Sequence, residues 1–254
     1  MKESDTLSQE CLVPGRKPVL EQLDAAPERV DTIFLQKGAR GPEISQIMDF
    51  CKATRIRFRT LERSELERMC PGNTQGVVAR VLPRETVSLE TLLEQAPQAP
   101  LPLLLALDQV QDPGNVGALA RTLYAMGGAG IIIPKDRTAF LGAAAAKASA
   151  GALTRLPVAK VVNLARALDQ AGDLGWNIYA TAMTKGAQPL YQAKLHTPAI
   201  LILGNEEKGV RPNVLKRATQ TLTIPMARNF DSLNVAQAGA IIISEFVRKA
   251  QGGS

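Results

Sequence analysis

The sequence predicts an α/β protein: a mostly parallel sheet covered by helices, preceded by a small α/β unit. Three observations carry this. Short apolar runs recur along the chain and are separated by segments of helical periodicity. In the second half those runs (LLLAL, GIIIP, AILILG) do not alternate with polar residues, which is the pattern of strands buried on both faces. A stretch containing Pro97, Pro100 and Pro102 interrupts the alternation and divides it in two.

In the first part, GRKPVLEQLDAA (15–26) reads as a helix, DTIFLQ (31–36) as a strand and GPEISQIMDFCKAT (41–54) as a helix. IRFRT (56–60) follows as a strand, RSELERMC (63–70) as a helix and QGVVARVL (75–82) as a strand. PRETVSLETLLEQAPQAPLP (83–102) has a short helical pattern and then prolines that stiffen the chain, so 1–83 is expected as one domain, 84–100 as a linker and 101–254 as a second domain. There the strands LPLLLALD, GIIIP, LPVAKV, WNIYATA, AILILG and QTLTIP alternate with the helices GNVGALARTLYAM, LGAAAAKASAGA, NLARALDQA, PNVLKRA and NVAQAGAIIISEFVRKA. Such an alternation places ligands at the carboxyl ends of the strands.

Composition narrows the function. The 254 residues are 45% hydrophobic, enough for a folded core, and no apolar run approaches the roughly 18 residues of a membrane helix. With no signal-peptide core in the first thirty residues, the chain reads as cytoplasmic. Cys11, Cys51 and Cys70 are too far apart for a CxxC pair, so they read as reduced, mostly structural thiols, and no metal site is expected. The single histidine, His196, removes triads and most imidazole acid–base schemes. The net charge of +6 favours an anionic partner, and nucleic acid is the natural candidate. The excess sits in 84–254, with 17 basic and 12 acidic residues against 13 and 12 in 1–83.

Three segments carry candidate chemistry. QDPGNVGALAR follows a strand without either GxGxxG or GxxxxGK[ST], which disfavours a phosphate cradle. Asn115 is expected to cap the helix that starts there, and Arg121, one turn beyond Gly117, can lie back toward the strand end; a cap and a surface arginine would explain the same residues. AILILGNEEKG places Glu206 directly after a buried strand, where a carboxylate faces a site or simply starts a helix. TIPMARNFDSLNVAQAG puts Ser232 and Asn234 before an apolar helix that either residue could cap. The small face Ala236, Ala238, Gly239 and Ala240 fits close packing within the chain or against a second copy.

Together, N-x-G-x-x-x-R, G-N-E-x-x-G and I-P-M followed by S-L-N-V, in this order across 103–250, resemble the three motifs of the SpoU branch of the SPOUT RNA 2′-O-ribose methyltransferases. VPGRKPVLEQL and NTQGVVARV resemble the start and end of the ribosomal-protein-like substrate-binding domain of a subgroup acting on a guanosine of 23S ribosomal RNA. That subgroup often carries a histidine where Thr74 stands here.

The resemblance implies a C-terminal trefoil knot, a homodimer and S-adenosylmethionine as cofactor, held by the backbone around Gly204, Ile224 and Leu233 with Ala182 and Met226 nearby. It implies catalytic-site roles for Asn115, Arg121, Glu206, Ser232 and Asn234, with Arg121 acting either as base or as a clamp on phosphate and developing alkoxide. A free guanidinium, with a pKa above about 12, is a poor base. RNA is the expected partner. In RIRFRT, period-two alternation puts Arg55, Arg57 and Arg59 on one face, where they can grip phosphates, as can Arg16 and Lys17. A tRNA ribose methyltransferase and a noncatalytic RNA-binding module remain as alternatives.

Overall fold

A computed structural model describes residues 12–81, 86–139, 141–182, 186–228 and 232–252; Cys11 and two residues of the expected linker, Arg84 and Glu85, lie outside them. The chain divides into two compact units, one of residues 1–84 with 141–147 and one of 85–140 with 148–254. Among the described residues no helix is long and apolar enough to cross a membrane.

The smaller unit runs β1 (Leu12–Pro14), α1 (Arg16–Ala25), β2 (Val30–Gln36), α2 (Pro42–Thr54), β3 (Arg57–Leu61), α3 (Arg63–Met69) and β4 (Val77–Val81). Its sheet has the order β1-β4-β2-β3, with β2 and β3 parallel and the other pairs antiparallel. Strand alternation sends Ile33 and Leu35 of β2 into one core with Val19, Leu23, Ile44 and Ile47 of α1 and α2. It sends Phe34 to the opposite face, against Leu66 of α3 and Val78 of β4. Cys51 and Cys70 sit in these two cores, and burial pushes both thiols up, away from the reactive thiolate.

One expectation for this unit fails. Arg55 is not on the arginine face of a strand. The helix α2 runs through Thr54, and Arg55 turns left-handed (φ 59°) to close it, its N–H bonded to the Cys51 carbonyl. The strand begins only at Arg57, so Arg57 and Arg59 alone share a face, and Phe58 between them is 40% exposed rather than buried.

The larger unit runs α4 (Leu89–Gln95), β5 (Leu101–Asp108), α5 (Pro113–Ala125) and β6 (Gly128–Pro134) and, after α6 (Ala143–Ala148), most of which belongs to the smaller unit, α7 (Ala152–Arg155), β7 (Val158–Val161), α8 (Leu164–Asp173) and β8 (Asn177–Thr181). It continues through β9 (Gln188–Pro189), β10 (Ala199–Gly204), α9 (Pro212–Leu215), β11 (Gln220–Thr223) and α10 (Val235–Gln251). The seven strands lie in the order β7-β6-β5-β10-β8-β11-β9, and every pairing is parallel. Strands β5 and β10 are central, and Leu103–Leu107 and Ala199–Leu203 have no solvent exposure, which is why their sequences are unbroken apolar runs. On one face Leu104, Ala106, Ile200 and Ile202 meet α4 and α8. On the other, α10 approaches α5 closely at Gly239, where a Cβ would stand 2.3 Å from Leu119 and 3.0 Å from Leu203. At Gly239, therefore, the small face of the closing helix packs within its own chain.

Residues 86–100, expected as a connection, are built into this unit: Ser88 caps α4, and Leu89, Leu92, Leu93 and Ala96 belong to its core. Pro97 falls in the first turn of a 3-10 helix, where its missing N–H costs nothing. The expected alanine-rich helix 141–152 is two short helices, broken where Ala150 (φ 47°) and Gly151 (φ 80°) turn left-handed.

Candidate active site at the carboxyl ends of the parallel strands

The central strands β5 and β10 run side by side and end together at Asp108 and Gly204. After Gly204 the chain makes a tight loop: Asn205 and Gly209 exchange main-chain hydrogen bonds of 3.2 and 2.8 Å, and the Asn205 Oδ1 accepts from the N–H groups of Glu207 and Lys208. A Cβ at Gly204 would lie 2.2 Å from the Gly209 carbonyl carbon, so only glycine lets the loop fold back this closely. The Asn205 amide donates to the Gln109 carbonyl (3.2 Å), tying this loop to the one after β5, where Gln109 is itself left-handed (φ 62°).

A second tie is charged. The Asp108 carboxylate has no solvent exposure, and it accepts from the Arg211 backbone N–H (2.8 Å), its Nε (2.8 Å) and its outer guanidinium nitrogen (2.7 Å). A buried carboxylate requires such pairing. Two chain segments 103 residues apart are thereby locked at the strand ends.

Three expected residues meet above them. The Asn234 side chain caps α10, its Oδ1 accepting from the N–H groups of Ala236 (2.8 Å) and Gln237 (3.3 Å). With that oxygen occupied, its Nδ2 donates to Asn115 Oδ1 (3.0 Å), and Asn115 Nδ2 donates to Glu206 Oε1 (2.6 Å). The result is a one-way relay from the start of α10 to a carboxylate, in which each amide's orientation is set by its neighbour. Asn115 does not cap α5. Asp112 does, its Oδ1 accepting the Asn115 N–H at 2.7 Å, and Pro113 fills the first helical position. The cap thus frees the Asn115 side chain for the relay.

A cleft of about 470 Å³ opens beside the relay, lined by Thr181, Ala182, Gly204, Glu206, Ile224, Met226, Ser232 and Leu233 among others. All five residues expected at the cofactor, Gly204, Ile224, Leu233, Ala182 and Met226, are on its walls. Its other walls include Leu203, Val210, Leu222 and Ile242. Among the described residues the main-chain groups of Ile224, Met226 and Leu233 bond to no other main-chain group, which leaves them open to a ligand. Such a mostly apolar cleft with free backbone edges suits an adenosine-like ligand.

Two expected catalytic residues are not in the relay. Ser232 is exposed on the cleft wall, and Arg121 is exposed on α5, its side chain without a hydrogen bond or ion pair among the described residues. Of the residues expected at RNA, Arg16 donates from Nε to the Gln75 carbonyl (3.1 Å) and pairs with Glu43 (3.3 Å), while Lys17, Arg55, Arg57 and Arg59 are exposed. His196 lies before β10, at the amino end of the strand whose carboxyl end carries the site. Among the described residues no cluster of His, Cys, Asp and Glu could hold a metal.

Asp108, Asp112, Asn205 and Arg211 were not singled out from the sequence. A signal existed for two of them: an acid closing an apolar strand, and an Asp directly before Pro at a helix start.

A parallel sheet with loops from three distant segments converging on a cleft defines an α/β enzyme of the class that binds its ligand at strand carboxyl ends. Residues 102–244 match the SpoU rRNA Methylase family, and residues 12–87 match the RNA 2′-O ribose methyltransferase substrate binding family. The chain belongs to the SpoU rRNA methylase family. It is 35% identical to the 23S rRNA (guanosine-2′-O-)-methyltransferase RlmB of Pseudomonas putida over 96% of this chain and 99% of that one. It is 36% identical to the protein of the same name from Acinetobacter baylyi, over 94% and 97%. Among solved structures, the AdoMet-bound rRNA methyltransferase from Sinorhizobium meliloti matches with a TM-score of 0.58 at 25% identity, covering 93% of this chain and 86% of that one. The SpoU methyltransferase AviRb from Streptomyces viridochromogenes has the same fold, with a TM-score of 0.60 at 23% identity over 95% and 90%.

Proposed function

We propose that the protein transfers a methyl group from S-adenosylmethionine to the ribose 2′-hydroxyl of a guanosine in 23S ribosomal RNA. The observation that carries this is the Asn234–Asn115–Glu206 relay at the lip of a cleft of cofactor size. The two relatives of that name, similar along nearly their whole length, support the RNA and the nucleotide.

In this reading the free backbone edges at Ile224, Met226 and Leu233 hold the adenosine, and Gly204, Ala182 and the Met226 side chain shape the cleft around it. When bound, S-adenosylmethionine supplies a sulfonium methyl group as electrophile. The protein's own task is to hold the ribose oxygen in line and to help remove its proton. The relay fixes the Glu206 carboxylate through one oxygen and leaves the other to orient Arg121 or the ribose. Arg121, whose side chain has no partner among the described residues, supplies positive charge to a neighbouring phosphate and to the oxygen as its proton leaves. Ser232 and Asn234 complete the ribose side of the site.

The small unit, with Arg16, Lys17, Arg57 and Arg59, binds the RNA, and Arg55 adds charge beside them. Units 1–83 and 101–254 divide these roles, the enzyme is a cytoplasmic homodimer, and the chain through β10, β11 and α10 forms the trefoil knot of its family. The test is to map ribose methylation in ribosomal and transfer RNA from cells lacking the protein, before and after adding it back. Loss of one methylated guanosine in 23S RNA, restored by the wild type, is expected; loss confined to a tRNA, or no loss, overturns the reading.

A further inference from the structure

The smaller unit carries a pocket of its own, of about 510 Å³, lined by Arg16, Gln36, Ala39, Arg63, Glu67 and the loop Gly72–Gly76. It lies where the parallel strands β2 and β3 end, at Gln36 and Leu61, and where α1 begins at Arg16. This is the end of an α/β sheet at which ligands gather.

The loop that walls the pocket is held in an unusual backbone path by its own side chains. Gly72 (φ 116°), Gln75 (φ 51°) and Gly76 (φ 78°) are all at positive φ, and Gln75 is there despite its Cβ. Asn73 Oδ1 accepts from the Gln75 N–H (3.2 Å), and Thr74, 6% exposed, accepts from the Gly76 N–H through Oγ1 (3.3 Å). Gln75 Oε1 accepts from the Arg16 N–H (3.0 Å), and the Arg16 Nε returns a bond to the Gln75 carbonyl (3.1 Å). Among the described residues the amide nitrogens of Asn73 and Gln75 have no partner, nor does the side-chain amide of Gln36. Arg16 and Arg63 line the same pocket, each paired with one carboxylate: Arg16 with Glu43 at 3.3 Å and Arg63 with Glu67 at 2.8 Å.

We propose that this pocket takes one unstacked nucleotide of the RNA, other than the nucleotide that is methylated. The proposal rests on RNA being the substrate. Side-chain amides carry a donor and an acceptor on one edge, which matches the edge of a nucleobase, and arginines match the phosphate that accompanies it. A pocket of this volume holds one nucleotide. The Arg57 and Arg59 face differs: it belongs to an exposed edge strand that attracts any phosphate backbone and gives affinity without discrimination. The pocket is the part of the small unit that reads a base.

The test uses the full-length protein and a 23S RNA fragment carrying 4-thiouridine or 6-thioguanosine at single-stranded positions. Irradiation followed by mass spectrometry is expected to place a crosslink on residues 36–39, 63–67 or 72–76. The double variant Gln36→Ala/Arg63→Ala, checked by thermal melting, is expected to bind the fragment about tenfold more weakly by fluorescence anisotropy, with its S-adenosylmethionine affinity unchanged. Crosslinks confined to other residues, together with wild-type affinity in the double variant, overturn the pocket even when the wild type methylates the RNA. A wild type that methylates no RNA overturns the enzymatic reading instead, and the crosslinks still decide whether the pocket holds a nucleotide.

Discussion

Both sheets end their parallel strands beside helix starts, yet the two ends are held together in different ways. In the larger unit four side-chain links join segments 91, 96, 103 and 119 residues apart: Asn115 to Glu206, Asn205 to the Gln109 carbonyl, Arg211 to Asp108 and Asn234 to Asn115. In the smaller unit Arg16 ties the helix start to the Gln75 loop and to Glu43, across 59 and 27 residues, and an exposed Lys37–Glu62 pair spans 25. The lesson is about tolerance. Methyl transfer fails when the reacting atoms are misplaced by a fraction of an ångström, so its loops are cross-tied. RNA binding draws on many weak contacts and accepts a looser frame.

This contrast can be broken in steps. Arg121→Ala is expected to have the largest effect, a fall in methyl transfer of at least about a hundredfold with melting temperature and cofactor affinity retained. Incorporation of a labelled methyl group into RNA measures it, and full activity would remove Arg121 from the mechanism. Asp108→Ala should act on stability: it leaves the Arg211 guanidinium, 39% exposed, without its partner and is expected to lower the unfolding free energy by about 2–3 kcal/mol in urea titrations. A stability unchanged by this variant would mean that the loop after β10 is held by Asn205 alone.

Asn115→Ala should separate the two kinds of tie. It breaks both links of the relay, so kcat is expected to drop about thirtyfold, while stability changes by less than about 1 kcal/mol because the relay is solvent-accessible. Equal losses in activity and stability would make the relay a structural brace. In the smaller unit, Arg57→Ala with Arg59→Ala should keep the chemistry and flatten the salt dependence of RNA binding by roughly 1–2 in log–log slope. An unchanged slope excludes this strand from the interface.

The smallest effect is expected far from either strand end. Glu245 of α10 is 5% exposed, and hydrogen bonds from Arg248, with charge from Lys249, hold its carboxyl below the usual glutamate range despite burial. A depressed folded-state value means that the stabilisation is present above the ordinary value of 4.5 and disappears as pH falls through the folded-state value. Glu245→Gln should therefore cost under about 1 kcal/mol at pH 7, and the difference from wild type should vanish in acid denaturation profiles. A gap that persists in acid assigns the effect to packing.

The elements of the larger sheet were legible because β5 and β10 have to be apolar throughout, buried on both faces as they are. The ends of elements were less so. Arg55 was placed in a strand because alternation cannot show that α2 needs a left-handed residue to finish. Asn115 was read as a cap because Asp112 and Asn115 are equally good capping residues, and only the helix start at Pro113 decides between them. The prolines at 97 and 100 look the same in sequence whether they end a packed helix or span open solvent. For the site, the motifs named the residues that meet, but the direction of the relay and the Asp108–Arg211 tie depend on side chains whose proximity no local pattern encodes.

The placement of β10 between β5 and β8 has a consequence for synthesis. Leu103 cannot find Ala199, its neighbour in the sheet, until nearly a hundred further residues have been translated, a wait on the order of several seconds or longer. Throughout that interval strand β5, buried on both faces in the finished sheet, has at least one open edge. The smaller unit, whose strands all lie before residue 82, can meanwhile fold on the emerging chain. The nascent protein therefore folds its smaller unit first, and it passes through a period in which chaperone binding at 101–108 would be most useful.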